Sequence, residues 1–164
     1  MKELILLINI FFISLTNYGQ TSELKNDAKK LQIFNVIKII DSIGKQKKEG
    51  IVEGVIKYSH GKNRSFGWDA YFITDENNKK PLRIRYGETK PNEIESLNLY
   101  YQNGELIFSE LKSTTINKNS KPIKETTKKY YFENGKIISA EDSSDSQIDY
   151  ILEKEKFLRK NIYK

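Results

Sequence analysis

The sequence predicts an α+β domain in which a helix precedes an antiparallel β-meander of about six strands and a shorter helix closes the chain. Near both ends, apolar residues recur at three- and four-residue steps, whereas between residues 52 and 138 they follow the two-residue period of strands. In addition, Asn103-Gly104 and Asn134-Gly135 each lie between β-prone runs, and this residue pair favours a two-residue type I′ hairpin turn.

The first nineteen residues have the order of a secretory signal peptide. Lys2 supplies a positive charge, Leu4–Leu15 is almost wholly apolar, and Gly19 is a small residue at the predicted cut. The apolar run is shorter than the roughly 20 residues that a membrane-spanning helix needs. We therefore expect cleavage after Gly19 and a single domain over residues 20–164 with no transmembrane span. We expect this domain to be periplasmic or extracellular.

The composition limits the chemistry that is available. The chain has no cysteine and a single histidine, so disulfides, a cysteine nucleophile and a zinc site with several His or Cys ligands are excluded. A net charge of +6 either serves solubility or attracts an anionic glycan, a lipid headgroup or an acidic protein. We expect no metal, cofactor or nucleic acid as a partner.

The helical periods cover residues 22–48 and 146–161. In the first, Leu24, Ala28, Leu31 and Ile40 mark one face, although the excess of apolar residues after Leu31 leaves a break near Asn35 open. The second carries an apolar stripe that includes Ile148, Ile151, Leu152 and Leu158. Between the two hairpins, the polar stretch Lys112–Thr127 around Pro122 predicts a mobile loop.

The two hairpins align without gaps, and the second turn follows the first by 31 residues, which suggests a meander of repeated hairpin units. A type I′ turn fixes the register of each pair. The predicted facing pairs are Tyr101–Leu106, Leu99–Phe108, Tyr100–Ile107, Phe132–Ile137, Tyr131–Ile138 and Glu133–Lys136. This register places Tyr101 and Phe108 on one face of the sheet and Tyr100 on the other.

The face that carries Tyr100 is the candidate ligand-binding surface. Alternation in Leu82–Tyr86 places Arg83 and Arg85 on the face opposite the apolar residues of that strand. The predicted binding residues are Arg83, Arg85, Tyr100, Lys129 and Tyr131. Cations beside aromatic rings can pair with anions while the rings supply contact area. This interpretation requires an open face, and a helix lying over it would make the tyrosines core residues.

No motif assigns a catalytic residue. His60 lies in a predicted turn, and no serine stands in a Gly-x-Ser-x-Gly elbow. Two carboxylates that are distant in sequence can meet in a fold, and Asp69 with Glu88 is the candidate pair.

Two oxygen-rich runs are candidates for calcium sites. Asp142, Asp145 and Asp149 form one, and Asp75-Glu76-Asn77 forms the other. Neither run matches an EF-hand loop, which needs a central glycine and a terminal glutamate.

Residues 86–89 together with the segments 99–108 and 130–138 resemble a group of small, uncharacterised exported bacterial proteins. In that group, a helix precedes paired segments of the form aromatic-aromatic-x-Asn-Gly-x-Leu-Ile. The hairpin units are also similar to MORN-type repeats, which have a shorter period and intervening glycines that are missing here. The resemblance implies the architecture and no activity.

These observations predict a non-enzymatic binding or interaction module of the cell envelope or periplasm. The expected partner is an anionic envelope component or another envelope protein. The alternative is a small hydrolase of an envelope polymer that uses carboxylates. Converging acids in a deep pocket would favour the hydrolase, and a flat sheet face without a pocket would favour binding.

Overall fold

The computed structural model describes residues 2–58, 64–76, 79–140 and 146–163. It confirms the predicted α+β class: a seven-stranded antiparallel meander lies between an N-terminal and a C-terminal helix. The elements are α1 Lys2–Gln46, β1 Gly50–Tyr58, β2 Arg64–Thr74, β3 Pro81–Lys90, β4 Glu93–Gln102, β5 Glu105–Ile116, β6 Pro122–Glu133, β7 Lys136–Ala140 and α2 Ser146–Ile162. His60, Asp142 and Asp145 lie outside the described residues.

Helix α2 packs on one face of the sheet and closes the larger core. Its Ile151 and Leu158 are fully buried there. The strand residues of this core include Trp68, Ala70, Ile84, Tyr86, Leu97, Leu99, Tyr101, Leu111, Tyr130 and Phe132. The aromatic residues of the strands are therefore mainly core residues, and the C-terminal helix covers this core.

Helix α1 lies on the opposite face and crosses the strands near the end that carries both Asn-Gly turns. Its Ile33 and Ile40 are buried in a second core with Tyr100, Ile107 and Phe108. Its path is marked by contacts with successive strands. Lys29 contacts Glu133 of β6, and Asp41 contacts both Tyr100 of β4 and Arg83 of β3. Lys47 contacts Glu76, which follows β2. The helix is continuous past Asn35.

Part of this face remains uncovered at the other end of the strands. Ile51 and Val55 of β1, Tyr71 of β2 and Ile94 of β4 are all exposed. No described helix is both long and apolar enough to cross a membrane.

Both predicted hairpin turns are confirmed. The central residues have positive φ, at 56° and 87° for Asn103 and Gly104 and at 51° and 73° for Asn134 and Gly135. Positive φ at both central positions defines the type I′ turn. The pairs Tyr101–Leu106, Phe132–Ile137 and Glu133–Lys136 form as expected.

One residue beyond these pairs, each hairpin contains a β-bulge that the sequence did not predict. Tyr100 pairs with Phe108, and Tyr131 pairs with Ser139, so Ile107 and Ile138 are the inserted residues. The predicted pairs Tyr100–Ile107 and Tyr131–Ile138 are therefore wrong.

In the first hairpin, the bulge changes the face on which Phe108 lies. Leu99 pairs with Ser109 instead of Phe108, so the predicted pair Leu99–Phe108 is wrong as well. Phe108 packs with Tyr100 under α1 instead of joining Tyr101 under α2. The α1 face thereby gains an aromatic residue that the α2 face was expected to hold.

The stretch Lys112–Thr127 is not a mobile loop. Strand β5 continues to Ile116 and β6 begins at Pro122, with a short turn between them in which Asn117 Oδ1 accepts hydrogen bonds from the N–H groups of Asn119 and Lys121. Residues 122–127 of β6 are all exposed, so neither face of this part of the strand is buried. Its sequence therefore does not need the apolar alternation by which a strand is predicted. Threonine retains its preference for strands in such a setting.

Replacing Gly135 by valine should lower the free energy of unfolding by about 1–2 kcal/mol, because a branched residue is strained at positive φ. A Cβ atom at Gly135 would meet no heavy atom within 4 Å, so the cost is that of the backbone conformation alone. Gly67→Val is the control, since its Cβ also has free space and the residue lies in β2 without positive φ. Equal urea-denaturation midpoints for the two variants would contradict the turn assignment.

Candidate functional site

The predicted binding face is covered by α1 at two of its five residues. Arg83 and Tyr100 are each only 8% exposed. The Arg83 guanidinium donates to Asp41 of α1 and, at 2.6 Å, to Glu49, and the Tyr100 hydroxyl donates to Asp41 at 3.0 Å. The open face that anion binding requires is therefore missing at Arg83 and Tyr100, because these side chains hold the helix instead.

The charges in this contact stabilise one another. Burial alone would raise the pKa of Glu49, but hydrogen bonds from Arg83 and Arg85 outweigh it and lower the pKa. Burial disfavours the charged form of Arg83, yet Glu49 and Asp41 raise its pKa above the ordinary value. Burial, reinforced by the Asp41 carboxylate, raises the pKa of Tyr100 to about 12. Arg83 is thus a permanently charged group whose charge is neutralised within the fold.

The other three predicted residues each have neighbours of their own. Arg85 is partly exposed, but it also hydrogen-bonds to Glu49, and its guanidinium lies 5.5 Å from the ring centroid of Tyr71. Lys129 faces Glu110 across the β5–β6 pair. Tyr131 packs edge-on against Phe108, with ring centroids 5.1 Å apart, at the border of the α1 core.

Alternation along β3 places Arg83 and Arg85 on the correct face but does not reveal the acids that neutralise them. Asp41 and Glu49 precede Arg83 by 42 and 34 residues. Nothing local in the chain links an acid at the end of a helix to an arginine in a strand. Only the path of α1 across the sheet brings them together.

A second group of polar side chains is buried on the α2 face, where Glu88 and Glu95 lie directly opposite each other on β3 and β4. They are 2% and 5% exposed. Glu88 accepts a hydrogen bond from the Tyr86 hydroxyl at 2.7 Å and pairs with Lys154 of α2 at 3.2 Å. The ammonium of Lys154 also lies 4.7 Å from the Tyr86 ring centroid.

Glu95 has a matching environment. Lys90 donates to it at 3.0 Å, and the Tyr150 hydroxyl of α2 donates to its other oxygen. Burial lowers the pKa of Lys90, but the hydrogen bond and the charge of Glu95 outweigh it and raise the pKa. Burial also raises the pKa of Tyr86, with a further contribution from Glu88. Each buried carboxylate thus has a lysine and a tyrosine as partners, and the group joins α2 to the sheet.

The candidate catalytic pair Asp69 and Glu88 does not converge. Asp69 pairs with Gly87 in the β2–β3 ladder, and a Cβ atom added at Gly87 would lie 2.7 Å from Asp69 Oδ1. Asp69 therefore lies over Gly87, on the face opposite to that of the next residue, Glu88. The sheet separates the two carboxylates.

A further group of residues lines a cleft between α1 and the two Asn-Gly turns, which we call the hairpin-end groove. Its volume is about 450 Å³. The apolar part of its lining consists of Ile33, Val36 and Ile107, together with Phe132. The polar lining residues are Lys29, Gln32, Gln102, Asn103, Glu105, Glu133 and Asn134.

The charged residues of the groove leave it net negative. Lys29 forms an ion pair with Glu133 at 2.7 Å, and the hydrogen bond from Lys29 lowers the pKa of Glu133. Glu105 adds a second carboxylate to the lining. The charge of Lys29 is therefore neutralised by an acid that also lines the groove.

The sequence pattern predicts both turns but not the groove. In an antiparallel meander, the turn after β4 and the turn after β6 lie at the same end of the sheet, since one strand pair separates them. The position of the turns was therefore deducible. That α1 lies beside them was not, because the contact between Lys29 and Glu133 spans most of the chain.

Within the described parts of the chain, no group of three or more His, Cys, Asp or Glu side chains could hold a metal ion. Comparisons with family models, with curated proteins and with solved structures found no match to this chain.

Lys154→Met should destabilise the fold by about 3–5 kcal/mol, because it leaves the buried Glu88 carboxylate without its cation. The change is measured by urea denaturation, and the double variant Glu88→Gln/Lys154→Met should recover much of the loss. Lys156→Met, at an exposed position of α2, is the control and should change little. A loss as small as that of the control would show that the Glu88–Lys154 pair does not fix α2.

Proposed function

We propose that this chain is a non-enzymatic binding module of the cell envelope, exported by its N-terminal segment, and that its ligand binds in the hairpin-end groove. One observation carries the proposal. Four carboxamides, from Gln32 of α1, Gln102 and Asn103 at the first turn and Asn134 at the second, line one cleft of about 450 Å³. That volume lies in the range of ligand pockets.

The carboxamides supply the hydrogen-bonding capacity of the groove. Each side-chain amide offers two N–H donors and a carbonyl acceptor. Among the residues that the structure describes, none of the four hydrogen-bonds to another side chain, so their donors and acceptors face solvent or a ligand. Ile33, Val36 and Ile107 add an apolar surface beside them.

The charge of the groove favours an uncharged ligand. Lys29 is paired with Glu133, and Glu105 leaves an excess of negative charge that repels anions. A glycan strand, which is rich in hydroxyl and amide groups, fits these donors and acceptors. This ligand class differs from the anionic component that the sequence predicts, because Arg83 and Arg85 are neutralised by Asp41 and Glu49.

The hydrolase alternative has less support. A general acid and a nucleophile or base must both reach the substrate. Glu88 and Glu95 lie under α2 with lysine and tyrosine partners, and Asp69 lies on the other side of the sheet. These acids are better suited to holding the fold together than to reacting.

The test is co-sedimentation of the purified protein with peptidoglycan sacculi from a Gram-negative bacterium. Gln32→Trp should reduce the bound fraction about tenfold, because the indole fills the groove from an exposed helix position. Raising the salt concentration should have little effect on binding, since the hydroxyl and amide groups of the glycan strand, and not the carboxylates of the peptide stems, are the proposed contacts.

Asn35→Trp is the matched control, because Asn35 is also exposed on α1 but does not line the groove. This variant should bind like the unmodified chain. Equal binding by both tryptophan variants would remove the groove as the site. Failure of the unmodified chain to sediment with sacculi would contradict the glycan ligand.

A further inference from the structure

The sheet has two edges, and they differ in how well they are protected from pairing with another strand. Edge strands expose unpaired N–H and C=O groups, and natural proteins commonly block them with short strands, lysine, proline or bulges. Strand β1 forms one edge, and β7 with the part of β6 beyond it forms the other.

The β6–β7 edge carries several of these blocking features. Strand β7 has only five residues, and a bulge interrupts its pairing with β6 between Tyr131 and Phe132. The exposed part of β6 begins with Pro122 and carries Lys124. These features disfavour the addition of a further strand there.

The β1 edge has only one of them, a lysine at position 57 near its end. Strand β1 has nine residues, contains no proline and pairs with β2 in an unbroken register. Its Ile51 and Val55 are 50% and 62% exposed on the sheet face that α1 leaves open. Tyr71, opposite Ile51 on β2, is exposed as well, so the edge adjoins an apolar patch.

We propose that β1 pairs antiparallel with β1 of a second copy of this chain, which joins the two sheets into one. The charges of β1 favour one register over another. A pairing centred on residue 53 would set two Glu53 carboxylates opposite each other, which is unfavourable. A pairing centred on residue 55 sets Val55 opposite its own copy and each Glu53 opposite position 57, which is a lysine.

Such a pair is closed by two-fold symmetry, because each copy uses the same strand. Pairing satisfies the outward backbone groups of β1 and buries Val55 against its copy. The inference is independent of the proposed ligand, since the hairpin-end groove lies at α1 and the turns of β4–β7.

The test uses the absence of cysteine from the chain. In the proposed register, Val55→Cys places two thiols opposite each other at about 4.5–5.5 Å between Cβ atoms, close to the geometry of a disulfide. Mild oxidation should therefore link most of this variant into a dimer. Ile123→Cys is the matched control, because Ile123 is also an exposed β-branched residue, 66% accessible, on β6 at the other edge. It should remain mostly unlinked.

Light scattering after gel filtration gives the second readout. The unmodified chain should elute as a dimer, Val55→Lys as a monomer because two lysines would oppose each other, and Ile123→Lys as a dimer. A monomeric unmodified chain, a dimer that survives Val55→Lys, or equal linking of the two cysteine variants would each overturn the proposal.

Discussion

The arrangement on one side of the sheet depends on how the charge of Arg83 is neutralised. A guanidinium that is 8% exposed is costly unless carboxylates compensate it, and Asp41 with Glu49 supplies this compensation. Because Asp41 belongs to α1 and Glu49 follows it, the contact holds the helix across the strands. The same position of α1 buries Tyr100 and forms one wall of the hairpin-end groove.

The two helices use the sheet in a similar way. Each contributes isoleucine or leucine side chains to an apolar core and adds a charged contact with a buried strand residue, Arg83 for α1 and Glu88 for α2. Apolar burial supplies most of the stabilisation, and the buried charges restrict where each helix can lie. Neither helix covers the groove beside the turns, the far end of the α1 face or the β1 edge.

Local signals in the sequence predicted local structure well. Both type I′ turns and the pairs next to them follow from Asn-Gly and its neighbours. The bulges at Ile107 and Ile138 were not predictable, because an inserted residue leaves the apolar pattern plausible in either register. The burial of Arg83 was missed for a different reason: alternation gives its face correctly, but the helix that covers it is specified by contacts across more than thirty residues.

Helix α1 is docked on the sheet through Arg83 and is part of the core. Native-state amide hydrogen exchange tests this docking directly. Amides from Ile33 to Ile40 should exchange as slowly as those of β4, and Arg83→Met should accelerate exchange in α1 while α2 stays protected. Rapid exchange throughout α1 in the unmodified chain, or protection in α1 that is unchanged by Arg83→Met, would contradict this docking of α1.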